Sequence, residues 1–318
     1  FLARGVGAIL GATISAKLYI WFSGPIVMGA FLTFIGVLFL QMPYNTSLTA
    51  LHWEFFFLGV ATAVTDSGCQ IMTRKLHGKT AGPWLGANTV VFGLAGALVP
   101  LIEFFTSDHV IEYHILMVVC FLVAFATFST PDVNTLVSQR SQSKPGEGGN
   151  VAKHYHAEMI IAFMVFMFIG CKVTLASYLY TYVDETMVID ADYKPALLLV
   201  FWIAVAIGRL AGVYDQRFVT NTTLPVHLFI QSAAAALSML LILLFPHTAS
   251  AFWIGITFFG LFNGPCIGYC YDYNNRLTYP SELSMAIVMI GLNFGASVIP
   301  WFTSYLWTLY SDPYVLIW

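Results

Sequence analysis

The chain has 318 residues, 58% of them hydrophobic and only 9% charged, with a formal net charge of −3 and a mean hydropathy of +0.78. Soluble domains carry about 25% charged residues and need them to stay in solution, so this composition excludes a water-soluble globule. The small negative charge excludes the basic field of a nucleic-acid-binding protein.

A membrane-crossing helix takes about 20 mostly apolar residues. Polar and Pro/Gly punctuation divides the chain into ten such stretches, at 2–16, 24–42, 53–73, 83–104, 111–130, 157–182, 195–214, 224–245, 249–271 and 283–309. The first is short, no signal peptide precedes it, and Tyr314 to Trp318 opens a further apolar run, so the chain reads as a fragment. Gly264-Pro265, with Gly260 and Gly268 nearby, is expected to loosen the ninth stretch.

Between the fifth and sixth stretches lies the longest polar segment, 131–156, rich in Gly, Pro, Ser and Gln. That composition predicts a linker between an N-terminal bundle, 1–130, and a C-terminal bundle, 157–318. With the linker in the cytoplasm, alternating loops put ten Lys or Arg residues on that side and Lys194 alone opposite, as the positive-inside rule requires. The expectation is a multi-pass protein of the plasma membrane or an endomembrane, with Asn45 of the Asn45-Thr46-Ser47 sequon outside and glycosylated. The Asn221-Thr222-Thr223 sequon falls on the cytoplasmic side and stays unmodified.

The two halves echo each other. FGLAGALVP at 92–100 is similar to FGASVIP at 294–300, and GATISAK at 11–17 to GRLAGVYD at 208–215, a pattern of parallel repeats found in two-halved transporters. These features resemble the major facilitator superfamily, with the ten stretches as its helices 2–6 and 7–11. Within it, TDSGCQ at 65–70, Phe92 to Pro100, and IGCKVTLASYLYTY at 169–182 resemble helices 4, 5 and 7 of the fucose permease and sodium-dependent glucose transporter branch. The resemblance implies an all-α major-facilitator-like fold and makes Asp66 the membrane acid that handles proton and sugar. Two departures stand out. Tyr19-Ile20-Trp21 lacks the loop acid usual after helix 2, and Lys172 replaces a glutamate of helix 7.

Charged groups at membrane depth are costly and need a task or a partner. Asp66 can bind a sugar hydroxyl, Na⁺ or a proton, and Lys172 is expected to pair with it or to snorkel outward. Arg4 joins them as a gating or pairing group, and Arg209 with Asp215 resembles the loop latch of the superfamily. Asn88, Asn263 and Asn293 offer the donors and acceptors that sugar hydroxyls use, or hold helices together. Tyr178, in a run with Tyr180 and Tyr182, and Trp202 are ring-stacking candidates or parts of an interfacial belt.

The five cysteines lie in apolar stretches and are expected reduced. Neither metal-ligand clusters nor nucleophile or phosphate motifs occur, so no enzyme, metal or cofactor is expected. The expected function is a monomeric secondary carrier of a hexose or similar polar solute, coupled to Na⁺ or H⁺ through Asp66. Lys172 and the missing loop acid point alternatively to a non-transporting receptor or scaffold. Arg4 and Lys172 point to an organic anion carrier.

Overall fold

A computed structural model describes residues 1–106, 108–132, 155–216, 218–220, 222–277 and 282–317. Its helices are α1 (Leu2–Trp21), α2 (Gly24–Gln41), α3 (Leu48–His77), α4 (Gly82–Phe105), α5 (His109–Phe128), α6 (Tyr155–Thr186), α7 (Lys194–Asp215), α8 (Leu224–Leu244), α9 (Ala249–Asn263), α10 (Cys266–Leu277) and α11 (Glu282–Tyr310). All ten predicted stretches are helical, and the described residues contain no strand. Nine helical segments among them are long and apolar enough to cross a membrane, and α1 is the stretch outside that set. This is an integral multi-pass membrane protein. Most of the predicted linker, and the Asn221 sequon residue, lie outside the described residues.

Local chemistry sets the boundaries. Prolines stand in the first turns of α2, α7 and α8, where a missing N–H costs nothing. The Asp108 carboxylate caps α5 by accepting from the Val110 N–H at 2.9 Å. Arg74, Lys75 and His77 close α3 against its negative dipole end, and Gly78, at φ +55°, ends the helix. The ninth stretch divides into α9 and α10 at Gly264-Pro265. Pro265 has no N–H to offer the carbonyl of Leu261, four residues back, and its ring crowds that carbonyl.

The chain forms two compact units, Phe1–Ala81 with Asp108–Phe163 and Asn274–Phe294, and Gly82–Ser107 with Met164–Tyr273 and Gly295–Trp318. They cut across the chain-order halves 1–130 and 157–318, because α4 packs on α7. In the first unit α1 lies on α3, and α2 on α3 and α5. Gly7 and Gly11 bring α1 against the backbone of α3 at Phe56 and Val60, and Gly59 answers at the Arg4 carbonyl. This is the small-residue spacing by which membrane helices approach closely.

In the second unit α9 also packs on α7 and α8. Gly93 meets Ala206, Gly96 lies under the Trp202 ring, and Gly208 abuts the Leu261 carbonyl. The core is aromatic. Tyr182 stacks on Phe252 at 5.2 Å and Phe201 on Phe259 at 6.4 Å between ring centroids, among the buried Leu175, Leu179 and Ile256.

Candidate functional site

In the first unit the polar chemistry runs along α3. Asp66 is half-buried, while Ser67, Gln70 and Arg74 are buried. Spacings of three and four residues put Ser67, Gln70 and Arg74 on one helix face, with Asp66 four before Gln70. The Ser67 Oγ and Gln70 Oε1 have no hydrogen-bond partner among the described residues. Buried polar atoms are almost always bonded, so this stripe is equipped for a ligand, an ion or water. Tyr19 braces it, since its hydroxyl donates to the Val64 carbonyl at 3.0 Å and rests on Gly68. The α1 end that lacks the expected acid is therefore anchored to α3 by a phenol.

The stripe extends the sequence reading. Arg74, expected in a loop, lies within α3 because that helix runs on to His77. Ser67 and Gln70 sit beside Asp66 in the sequence, and their periodicity was the available signal.

In the second unit Lys172 is fully buried near the middle of α6, and its Nζ has no hydrogen-bond partner among the described residues. An ammonium so placed costs several kcal/mol unless something compensates it. Arg209 on α7 and Cys266, the first residue of α10, both act electrostatically on Lys172. Arg209 is itself buried. It donates to the Thr89 carbonyl of α4, donates from Nε to the Gly264 carbonyl at 3.3 Å, and lies 5.0 Å over the Phe92 ring. Asp215 accepts from the Tyr269 hydroxyl at 2.6 Å and meets His227 Nδ1 at 3.0 Å. The two residues expected as a latch thus each hold partners of their own.

The other candidates divide by their surroundings. Asn263 is buried with its Oδ1 unbonded among the described residues, whereas Asn88 and Asn293 are half-buried. Asn293 donates to the Met289 carbonyl of its own helix at 2.9 Å. Trp202 packs edge-on against Phe92 and Phe201, and Tyr178 against Trp307, so both rings work in the core. Arg4 is exposed. Asn45 sits between α2 and α3, half-buried, its Oδ1 accepting from the Ser47 N–H at 3.0 Å. Asp66 and Asn293 belong to the first unit, Lys172 and Asn263 to the second.

Tyr180 donates to Glu103 at 2.7 Å, tying α6 to α4 toward their C-terminal ends. Tyr180→Phe is expected to lower unfolding free energy by about 1–2 kcal/mol, as loss of a partly exposed bond to a carboxylate should, read in a denaturation series at constant pH. A cavity of about 600 Å³ in the first unit, lined by Pro25, Met28, Met72, Leu122 and Ala126 among others, is apolar and touches none of the candidate residues. No cluster of three His, Cys, Asp or Glu among the described residues is placed to hold a metal, and none of the five cysteines is in a disulfide.

No protein-family model matches the chain. In sequence it is similar to sodium-dependent glucose transporter 1A of Mus musculus, 20% identical over 336 residues that cover 94% of this chain and 78% of that protein. In structure it matches the proton:xylose symporter XylE with a TM-score of 0.76 at 11% identity, over 99% of this chain and 81% of the other. The chain has the major facilitator fold. The fucose:proton symporter FucP of E. coli shares that fold, with a TM-score of 0.62 at 16% identity, over 100% of this chain and 83% of FucP. The proteins named here are transporters rather than enzymes, and sodium-dependent glucose transporter 1 of Xenopus laevis, 20% identical, matches over 100% of this chain and 70% of its own length.

Proposed function

We propose that the protein is a monomeric secondary carrier that moves a small, hydroxyl-rich solute of the hexose class by alternating access, driven by Na⁺ or H⁺ at Asp66. The observation that supports this reading best is the stripe on α3. A carboxyl at membrane depth stands beside buried Ser67 and Gln70 oxygens that lack partners among the described residues. Such groups inside a membrane protein have a pathway or ion-site task by default. The names of its relatives point the same way, as a sodium-dependent glucose transporter and two proton-coupled sugar symporters. On this reading the halves 1–130 and 157–318 are the two moving bundles, the linker is cytoplasmic, and Asn45 faces outward. Asn263, with its unused carbonyl oxygen, is the better solute contact among the three amides, ahead of Asn88 and Asn293.

The test is uptake of labelled glucose and fucose by the full-length protein in proteoliposomes, with and without inward Na⁺ and H⁺ gradients. Accumulation above equilibrium under one gradient is the expected result. No uptake of either sugar under any gradient would remove the hexose assignment and favour the non-transporting scaffold.

A further inference from the structure

A neutral sugar leaves Lys172 without a task. Its side chain is fully buried and its Nζ has no hydrogen-bond partner among the described residues, which leaves its donors open to a ligand. The nearby backbone is unusual in the same way. Asn263, Gly264, Pro265 and Cys266 form the break between α9 and α10, and two positive groups of this unit, Arg209 and Lys172, bear on those four residues. Arg209 bonds the Gly264 carbonyl, Lys172 acts on Cys266, and α10 begins there with its positive dipole end. Half-helix N-termini at breaks inside membranes are where transporters receive anionic groups of their substrates. Asn263 adds an unbonded, buried carbonyl oxygen at the same break, a ready acceptor for a hydroxyl.

Four carboxylates of this unit hold partners other than Lys172. Glu103 holds Tyr180, Glu185 holds the Trp307 indole, Asp184 holds Lys194, and Asp215 holds Tyr269 with His227. None of the four bonds Lys172, whose Nζ keeps its donors unused among the described residues.

We infer that the α9–α10 break of the second unit is an anion subsite, where Lys172 receives the carboxylate of a sugar acid while Asn263 accepts one of its hydroxyls. This deepens the carrier reading and rests on it for the assumption that a solute reaches the site. An inorganic anion shares the charge but has no use for Asn263, which is why the sugar acid is the better fit.

Equilibrium binding to the purified full-length protein tests the inference without requiring transport. The probes are labelled glucuronate and labelled glucose, with chloride as competitor. Wild type is expected to bind glucuronate more tightly than glucose. Lys172→Gln is expected to weaken glucuronate by about tenfold or more, the effect of losing a charge-assisted pair, and to leave glucose within about twofold. Lys172→Arg should restore much of the glucuronate affinity. Lys172→Met serves as the second neutral variant, and its thermal stability should match or exceed wild type because it removes an uncompensated buried charge.

Glucuronate binding unchanged in both neutral variants would overturn the inference. So would complete displacement of glucuronate by chloride with no preference for the sugar acid, which would assign the site to an inorganic anion. Lys172-dependent glucuronate binding without uptake of any sugar would strike the carrier reading and leave the anion subsite standing.

Discussion

Asp66→Asn is expected to cut gradient-driven uptake by about a hundredfold or more, the scale on which losing a positioned proton-transfer group is felt, while leaving exchange of solute across the membrane measurable. Asparagine keeps the shape of the side chain and its capacity to bond a hydroxyl, but it holds no charge and takes up no proton. Asp66 is half-buried on α3, next to Ser67 and four residues before Gln70. A Na⁺ bound there would find hard oxygen ligands, the kind such cations prefer, and a proton would find a carboxyl with polar neighbours. Either ion needs the charge, and the amide supplies none. The measurement compares uptake under a gradient with counterflow at equal ion concentrations in the same vesicles. Loss of both would make Asp66 a solute contact or a structural group. Retention of both would remove it from coupling altogether.

Much of this architecture was legible in the chain, for a plain physical reason. Lipid demands long apolar stretches with their backbone bonds satisfied internally, and so nine of the ten stretches stand out by hydropathy, α1 being the weaker one. Gly264-Pro265 announced the break between α9 and α10 because proline cannot make the helical bond. The position of Lys172 in mid-helix was equally plain, but its burial was not. A four-carbon stem can snorkel to an interface or stay inside, and only the packing of α6 against its neighbours decides between them. The partners of Arg209 were hidden for a related reason. Thr89 is 120 residues away and contributes its carbonyl, a group every residue type possesses. Arg74 looked like a loop cation because charge normally ends a span, yet α3 runs to His77 and buries it. Trp202 and Tyr178 have the right chemistry for stacking on a sugar, but glycine gaps such as Gly96 turn the Trp202 ring into a packing element. Sequence pattern does not separate those two uses of an aromatic ring.

Gly208→Val is expected to lower the apparent melting temperature of the detergent-solubilised protein by roughly 5 °C or more, whereas Gly268→Ala should shift it by only about 1 °C. The two glycines differ in what a side chain would meet. At Gly208 a new Cβ runs into the backbone carbonyl of Leu261, and at Gly268 its nearest neighbour is the Gln216 amide nitrogen at 3.5 Å, an ordinary contact. Leu261 is also the residue whose carbonyl Pro265 deprives of a helical partner. Gly208 thus lets α7 close on the one turn of α9 whose bonding is already weakened, and a larger side chain would push the helices apart there. Arg209 follows directly and reaches Gly264 from this close approach. The same substitution should therefore weaken glucuronate binding as well as stability, with Gly208→Ala falling between valine and wild type on both scales. A valine that costs stability while leaving glucuronate affinity unchanged would show that the α7–α9 contact holds the fold without positioning the guanidinium. The Arg209 contact with Gly264 would then have no part in the anion subsite, which would rest on Lys172 and the α10 terminus alone.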